Sequence, residues 1–182
     1  MNHDTQPAIL AYPYRLTHHQ TPRYLLWVDG GKERDYLLRH HSGQLIVAAT
    51  LQALQQLKLE TAELTIAWQD VSELDLDLFW QRLGNLRAGR ATSSATNNLF
   101  NNAWNLFEDL AHTYELPRDL AIFCEPRLQK VYEKFYWGCN LPALTPAGKS
   151  YAPIWQSDEL SECRRAIKQL WLGILEKAPE LA

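Results

Sequence analysis

The sequence predicts an α+β fold, with a small, mainly antiparallel N-terminal sheet, helices packed on it, and a helical C-terminal half. Short runs rich in aromatic and branched residues fill the first half between glycine turns, a pattern typical of strands. In the second half, apolar residues recur at a helical period. A chain of 182 residues and 21.0 kDa suits a single domain, 1–182, with a sheet-bearing half at 1–87 and a helical half at 96–182.

The clearest predicted element is a helix over residues 96–114. Trp104, Phe107 and Leu110 fall on its apolar face, and Pro117 ends it because the residue before a proline avoids the helical region. The opposite face is polar and carries Asn101, Asn102, Asn105, Glu108, Asp109 and His112. We therefore expect this helix to organise the core, with its two large rings buried.

The other strands and helices are predicted from the same strand patterns and helical period. Strands are predicted at 9–12, 23–28, 35–39, 44–48 and 63–68, and helices at 51–57, 74–86, 127–137 and from 157 to just before 179. Asp29-Gly30-Gly31 and His41-Ser42-Gly43 supply turns, because glycine adopts positive φ easily. Thr50 is the expected N-cap of the first helix. One longer helix over 44–58 fits the periodicity as well.

Two segments are ambiguous. Residues 70–77 alternate like a strand, but Ser72 can cap a helix and the apolar spacing continues, which favours a helix from about Leu74 to Leu86. Residues 117–124 suit a helical turn or a short strand. The polar stretch 87–95 is the predicted internal boundary, and the proline-rich stretch 138–155 is predicted to be a long loop.

Composition excludes several functional classes. A net charge of −3 and a pI near 6.1 argue against a general nucleic-acid-binding protein. No apolar run approaches the length of a membrane span, and the first residues do not resemble a signal peptide, so we expect a cytoplasmic protein. Cys124, Cys139 and Cys163 are odd in number and widely spaced, so we expect free thiols and no disulfide framework.

No motif predicts catalysis or a cofactor. His18-His19 and His40-His41 suggest a metal site, but neighbouring side chains on a regular strand point to opposite faces, so none is predicted. A cysteine nucleophile would need a histidine such as His112 brought near by the fold. We therefore expect a protein that is not an enzyme, without a cofactor.

The segment 60–77 has a distinctive charge pattern. It holds six acidic residues and no basic one: Glu60, Glu63, Asp70, Glu73, Asp75 and Asp77. A solvated face with acids near a helix start is the simpler interpretation. The alternative is an acidic patch for a basic partner, because complementary charge accelerates encounter.

Four pieces of the chain carry a family resemblance. They are YLLR before SGQLIVA, LQALQQL, LDLDLFWQRL and LFNNAWNLFEDLA, of which NNAWNLFEDLA is the most specific. Together, over about residues 24–114, they resemble immunity proteins of bacterial polymorphic toxin systems, including contact-dependent growth inhibition. The resemblance implies a cytosolic protein that binds one cognate toxin domain, often a nuclease, and blocks it without catalysis. It carries over no set of contact residues.

The sequence thus predicts an immunity protein that binds a basic toxin domain. The expected contacts are acidic side chains with nearby rings: Asp70, Glu73, Asp77, Trp68 and Trp80. One alternative is a small hydrolase whose site is assembled only in the fold, and another is a non-catalytic adaptor subunit.

Overall fold

A mixed five-stranded sheet forms the N-terminal part of the computed structural model, which describes residues 9–59, 64–116 and 125–182. The strands are β1 (Ile9–His18), β2 (Thr21–Val28), β3 (Tyr36–Leu37), β4 (Leu64–Ile66) and β5 (Ser72–Asp75). Antiparallel pairing joins β3 to β2 and β2 to β1. On the other side of β1, β4 and β5 run parallel to it, a pairing that the sequence patterns did not predict.

The β1–β2 hairpin is longer than predicted, because β1 continues past residue 12 to His18. Two residues connect its strands, His19 with φ 49° and Gln20 with φ 58°. Two consecutive positive φ values match the turn that suits the twist of a hairpin, although glycine or asparagine usually occupies it. The carboxylate of Asp77 stabilises this turn, because its oxygens accept the backbone N–H of His19 at 2.9 Å and of Gln20 at 2.7 Å.

The segment after β3 is extended but is not the predicted strand at 44–48. Isolated bridges join Arg39 to Leu45 and Tyr24 to Ala48. The longer helix over 44–58 is therefore wrong. Helix α1 (Leu51–Gln55) follows, and the side chain of its predicted cap Thr50 accepts the backbone N–H of Ala53.

The ambiguous residues 70–77 contain both a strand and a helix start. Residues 72–75 pair with β1 as β5, and helix α2 (Leu76–Asn85) begins directly afterwards. Ser72 is therefore not the N-cap. Asp75 is the cap, and its side chain accepts the backbone N–H of Leu78 at 2.9 Å. The alternating residues Leu74, Leu76 and Leu78 are compatible with a strand and with a helix. The sequence pattern therefore does not show where the helix begins, and the pairing of residues 72–75 with β1 determines it.

The C-terminal half is helical. Its elements are α3 (Ser94–Thr113), α4 (Pro126–Gly138), α5 (Ser157–Lys177) and a short 3₁₀ helix (Pro179–Leu181). The prediction for the central helix is confirmed: Trp104 is 2% exposed, and Phe107 and Leu110 are fully buried. The predicted element at 117–124 lies outside the described residues, as does Cys124.

The sheet separates two apolar clusters. Leu16, Leu25 and Leu37 face the helical half and join the larger cluster, which extends to Leu181. Their neighbours Leu26 and Leu38 point to the other face, which α1 and the extended segment cover. Across the described residues, we find no helix with the length and apolar character needed to cross a membrane.

Candidate binding site

A cleft of about 470 Å³ opens between the sheet and the polar face of α3. It is lined by Tyr14, Trp27, Asp35, Ser72, Glu73, Asn102, Asn105, Leu106, Glu108 and Asp109. A second cleft of about 460 Å³ shares Asp35, Glu108 and Asp109 with it. We call the two together the acidic cleft, because carboxylates from three separate parts of the chain converge there: the loop between β2 and β3, β5 and α3.

Local hydrogen bonds hold the acids of the cleft in place. Trp27 on β2 donates its indole Nε1–H to Asp109 Oδ2 at 3.0 Å. Asp35 accepts the backbone N–H of Gly30 at 3.0 Å, which closes the loop between β2 and β3. Thr113, one helical turn after Asp109, accepts the backbone N–H of Leu37 through its hydroxyl and so fixes α3 against β3. These hydrogen bonds connect α3 to β2 and β3 and close the loop that carries Asp35.

Two acids of the cleft, Asp109 and Glu108, are half-buried. The pKa of Asp109 is raised to about 6, mainly by burial and also by the charges of Asp35 and Glu108, while the hydrogen bond from Trp27 opposes the rise. Burial also raises the pKa of Glu108, against a hydrogen bond with Trp104 and the charge of Arg34. In the described part of the chain, neither acid takes part in an ion pair. A cation bound in the cleft would stabilise the ionised form of both carboxylates and so offset the cost of their burial.

Glu73 is the predicted contact residue that lies in the acidic cleft. Its side chain is exposed and forms an ion pair with Arg15 on β1, with 3.2 Å between Oε1 and Nη1. Exposed pairs of this kind contribute little to stability, so Glu73 is free to exchange Arg15 for a partner's cation.

The other four predicted contact residues do not line the acidic cleft. Asp70 is exposed in the turn after β4, and Trp68 is half-buried against the smaller apolar cluster. Trp80 is half-buried and packs against the larger cluster, where it stacks on Phe107. The carboxylate of Asp77 already accepts hydrogen bonds from the backbone of the β1–β2 turn.

The described part of the predicted acidic segment follows one side of β1 over residues 64–75. The register places Ile66 beside Ala11, Glu73 beside Arg15 and Asp75 beside Thr17. At about 3.3 Å per residue, these residues follow β1 over roughly 25 Å. The acids in this part of the segment are therefore spread out in space, and of them Glu73 lines the acidic cleft.

A second surface is apolar. Trp137 is 50% exposed, and Leu144 and Tyr151 on the loop 139–156 are exposed and line the same pocket as Trp137. We call these three residues the aromatic patch. Asn140 fixes the loop, because its side chain bonds both the backbone N–H and the carbonyl of Tyr151. Trp155, by contrast, is fully buried.

The buried thiols are poor nucleophiles. Cys163 is fully buried, as the helical pattern predicts, and burial raises its pKa to about 12. Burial also raises the pKa of Cys139, whose Sγ–H donates to the carbonyl of Phe135. Both thiols are free.

One group of side chains has the composition of a metal site: His18, His19 and Asp77, with one ligand atom from each lying within 4.8 Å of the others. Regular strand geometry would separate the two rings. However, β1 ends at His18, and His19 has the left-handed backbone of the turn, so the geometric reason to expect no metal here is wrong.

Comparison of the chain with protein-family models, with curated proteins and with solved structures finds no match.

Proposed function

We propose that this chain is a non-catalytic immunity protein that acts in the cytoplasm and neutralises a toxin domain by direct binding. The acidic cleft is the observation that carries the proposal, because its half-buried carboxylates Asp109 and Glu108 take part in no ion pair among the described residues, and the charge of Arg34 only partly offsets the burial of Glu108. The partner would place a lysine or arginine side chain in the cleft. The chain's own net charge of −3 argues against direct nucleic-acid binding.

The cleft is suited to a long cationic side chain. The rings of Tyr14 and Trp27 offer apolar surface for the methylene stem, while Asp109 and Glu108 accept hydrogen bonds from the charged head. A cation there would lower the pKa of Asp109 and remove the penalty of its burial. Charge-assisted hydrogen bonds in a partly dry site are stronger than those at an exposed surface.

The aromatic patch supports a protein partner in general. Exposed tryptophan and tyrosine side chains are enriched among the residues that dominate binding energies. Trp137, in the last turn of α4, and Tyr151, on the loop fixed by Asn140, are about half exposed, so ordering them on binding loses little entropy.

The test is binding kinetics against the product of the gene directly upstream, together with growth rescue on co-expression. Asp109→Asn keeps an oxygen for the Trp27 hydrogen bond but removes the charge. It should speed dissociation at least tenfold, and Glu73→Gln should slow association and weaken its salt dependence. Glu176→Gln, an exposed acid outside the cleft, is the matched control and should bind like wild type.

If the upstream product does not bind or is not neutralised, the proposed immunity function is wrong. If it binds and Asp109→Asn behaves like Glu176→Gln, the function stands but the acidic cleft is not the contact site.

A small hydrolase is the second candidate, because the raised pKa of Asp109 is also what a general acid near neutral pH requires. Glu108 would then act as the second carboxylate of the site. Turnover of generic ester, glycoside or phosphodiester substrates by purified protein, abolished by Asp109→Asn, would favour this candidate. Absence of turnover together with tight binding of the upstream product would favour the immunity protein.

A further inference from the structure

We propose that His18, His19 and Asp77 bind a divalent transition-metal ion, of which Zn²⁺ is the expected one, at the tip of the β1–β2 hairpin. The inference is independent of the proposed function, because none of the three residues lines the acidic cleft. One ligand atom from each side chain lies within 4.8 Å of the other two. Two imidazoles and a carboxylate form a common ligand set for such ions.

His18 is already oriented as a ligand would be. Its Nδ1 lies 3.1 Å from the carbonyl oxygen of Leu181, which can only accept, so the proton sits on Nδ1 and the lone pair on Nε2. The ring is 4% exposed and packs edge-on against Trp171 at 5.3 Å.

His19 reaches the same point because of the turn. Its positive φ folds the ring back over His18, and the two ring centroids lie 3.9 Å apart with 46° between the planes. A regular strand could not bring adjacent rings together in this way. The side chain is exposed, so rotation about its own bonds can direct a nitrogen towards the ion.

Asp77 supplies the negative charge. Its two oxygens accept the backbone N–H groups of His19 and Gln20, which fixes the carboxylate beside the rings. Each oxygen has a second lone pair for a metal ion.

The spacing and chemistry favour zinc over hard cations. Zinc ligands lie about 2.0–2.1 Å from the ion, which places tetrahedral ligand atoms roughly 3.3 Å apart. Closing the ligand atoms from 4.8 Å to that spacing requires a movement of about 1.5 Å, which falls mainly on the exposed side chain of His19, because His18 is buried and Asp77 is half-buried. Mg²⁺ and Ca²⁺ prefer oxygen ligands, and a site with two imidazoles offers them too few. Three protein ligands leave the fourth position for water.

The ion would link parts of the fold that are far apart in sequence. His18 and His19 belong to the hairpin, Asp77 belongs to the first turn of α2, and Leu181 orients His18 from the 3₁₀ helix. Because the unfolded chain cannot hold the three ligands together, binding should stabilise the folded state.

The test uses the purified full chain, freed of metal by a chelator. Titration with Co²⁺ should give the visible absorption of a low-symmetry site with nitrogen and oxygen ligands, saturating at one ion per chain. Competition with a chromogenic chelator measures the Zn²⁺ affinity, and a thermal melt with Zn²⁺ should show a raised Tm. His19→Asn removes one ligand while keeping a residue that tolerates positive φ, and it should weaken Zn²⁺ binding at least tenfold.

His40→Asn is the matched control, since His40 is also exposed and also adjoins a second histidine but belongs to no such group in the described ranges. It should bind Zn²⁺ like wild type. The inference is overturned if binding is not saturable at one equivalent, if His19→Asn binds as tightly as His40→Asn, or if the Co²⁺ spectrum shows the charge-transfer band of a thiolate ligand.

Discussion

Replacing Asp109 by asparagine should make the protein more stable and worse at binding. The raised pKa means that the folded state disfavours the ionised carboxylate relative to the unfolded chain. A shift of the pKa of Asp109 from 3.8 to about 6 means that its ionised carboxylate destabilises the folded state by about 3 kcal/mol at neutral pH. Asparagine removes the charge and keeps an acceptor for Trp27, although a hydrogen bond to a neutral group is weaker. We expect the free energy of unfolding of Asp109→Asn to exceed that of wild type by about 1–2 kcal/mol at pH 7.5.

The gain should depend on pH in a defined direction. Between about pH 4 and 6 the folded state holds the proton of Asp109 more tightly than the unfolded state does. This group's contribution to the free energy of unfolding therefore falls as the pH rises through that window. The difference between Asp109→Asn and wild type should be small at pH 4 and reach its full value above about pH 6.5.

Urea denaturation followed by tryptophan fluorescence at pH 4.0 and pH 7.5 measures this difference. Asp70→Asn is the control, because its exposed carboxylate should change the free energy of unfolding by less than about 0.5 kcal/mol at either pH. The prediction is wrong if Asp109→Asn is no more stable than wild type at pH 7.5, or if its gain in stability is as large at pH 4.0 as at pH 7.5. Either result would mean that the pKa of Asp109 is not raised in the folded state.

Three further outcomes are expected. Trp104→Ala should lower the free energy of unfolding by about 3–5 kcal/mol, because it empties a buried ring site, while Trp137→Ala at a half-exposed ring should cost far less in the same melt. Asp77→Ala should lower it by about 1–3 kcal/mol, because two hairpin N–H groups lose their acceptor, and Asp70→Ala serves as its control. Alkylation of the denatured protein without reductant should label all three cysteines, as intact mass would show, and fewer labels would indicate a disulfide.

Local sequence signals predicted the helices well, because each depends on residues close together in the chain. Helix α3 has cleanly divided faces, and its start and end lie within two residues of the prediction. The β1–β2 hairpin was harder, because His19 and Gln20 give no turn signal of the glycine or asparagine kind. Their backbone is held by Asp77, which no local pattern could link to them.

The candidate site was predicted only in part, for a related reason. The polar face of α3 is the face on which the helical period places Glu108 and Asp109, and such a face normally meets solvent. Here it turns towards Trp27 on β2, so the acids are half-buried. A run of acids in the sequence drew attention to residues 60–77, yet Glu73 alone among the predicted contacts reaches the cleft.

The β1–β2 hairpin depends on residues that the ribosome delivers much later. Asp77 lies 58 residues after His19, and Leu181 lies 163 residues after His18. During synthesis the left-handed turn and the buried imidazole therefore wait without their hydrogen-bond partners. Strands β1 and β2 therefore leave the exit tunnel before the residues that complete the hairpin, and the nascent hairpin must stay unpaired with other chains throughout that interval.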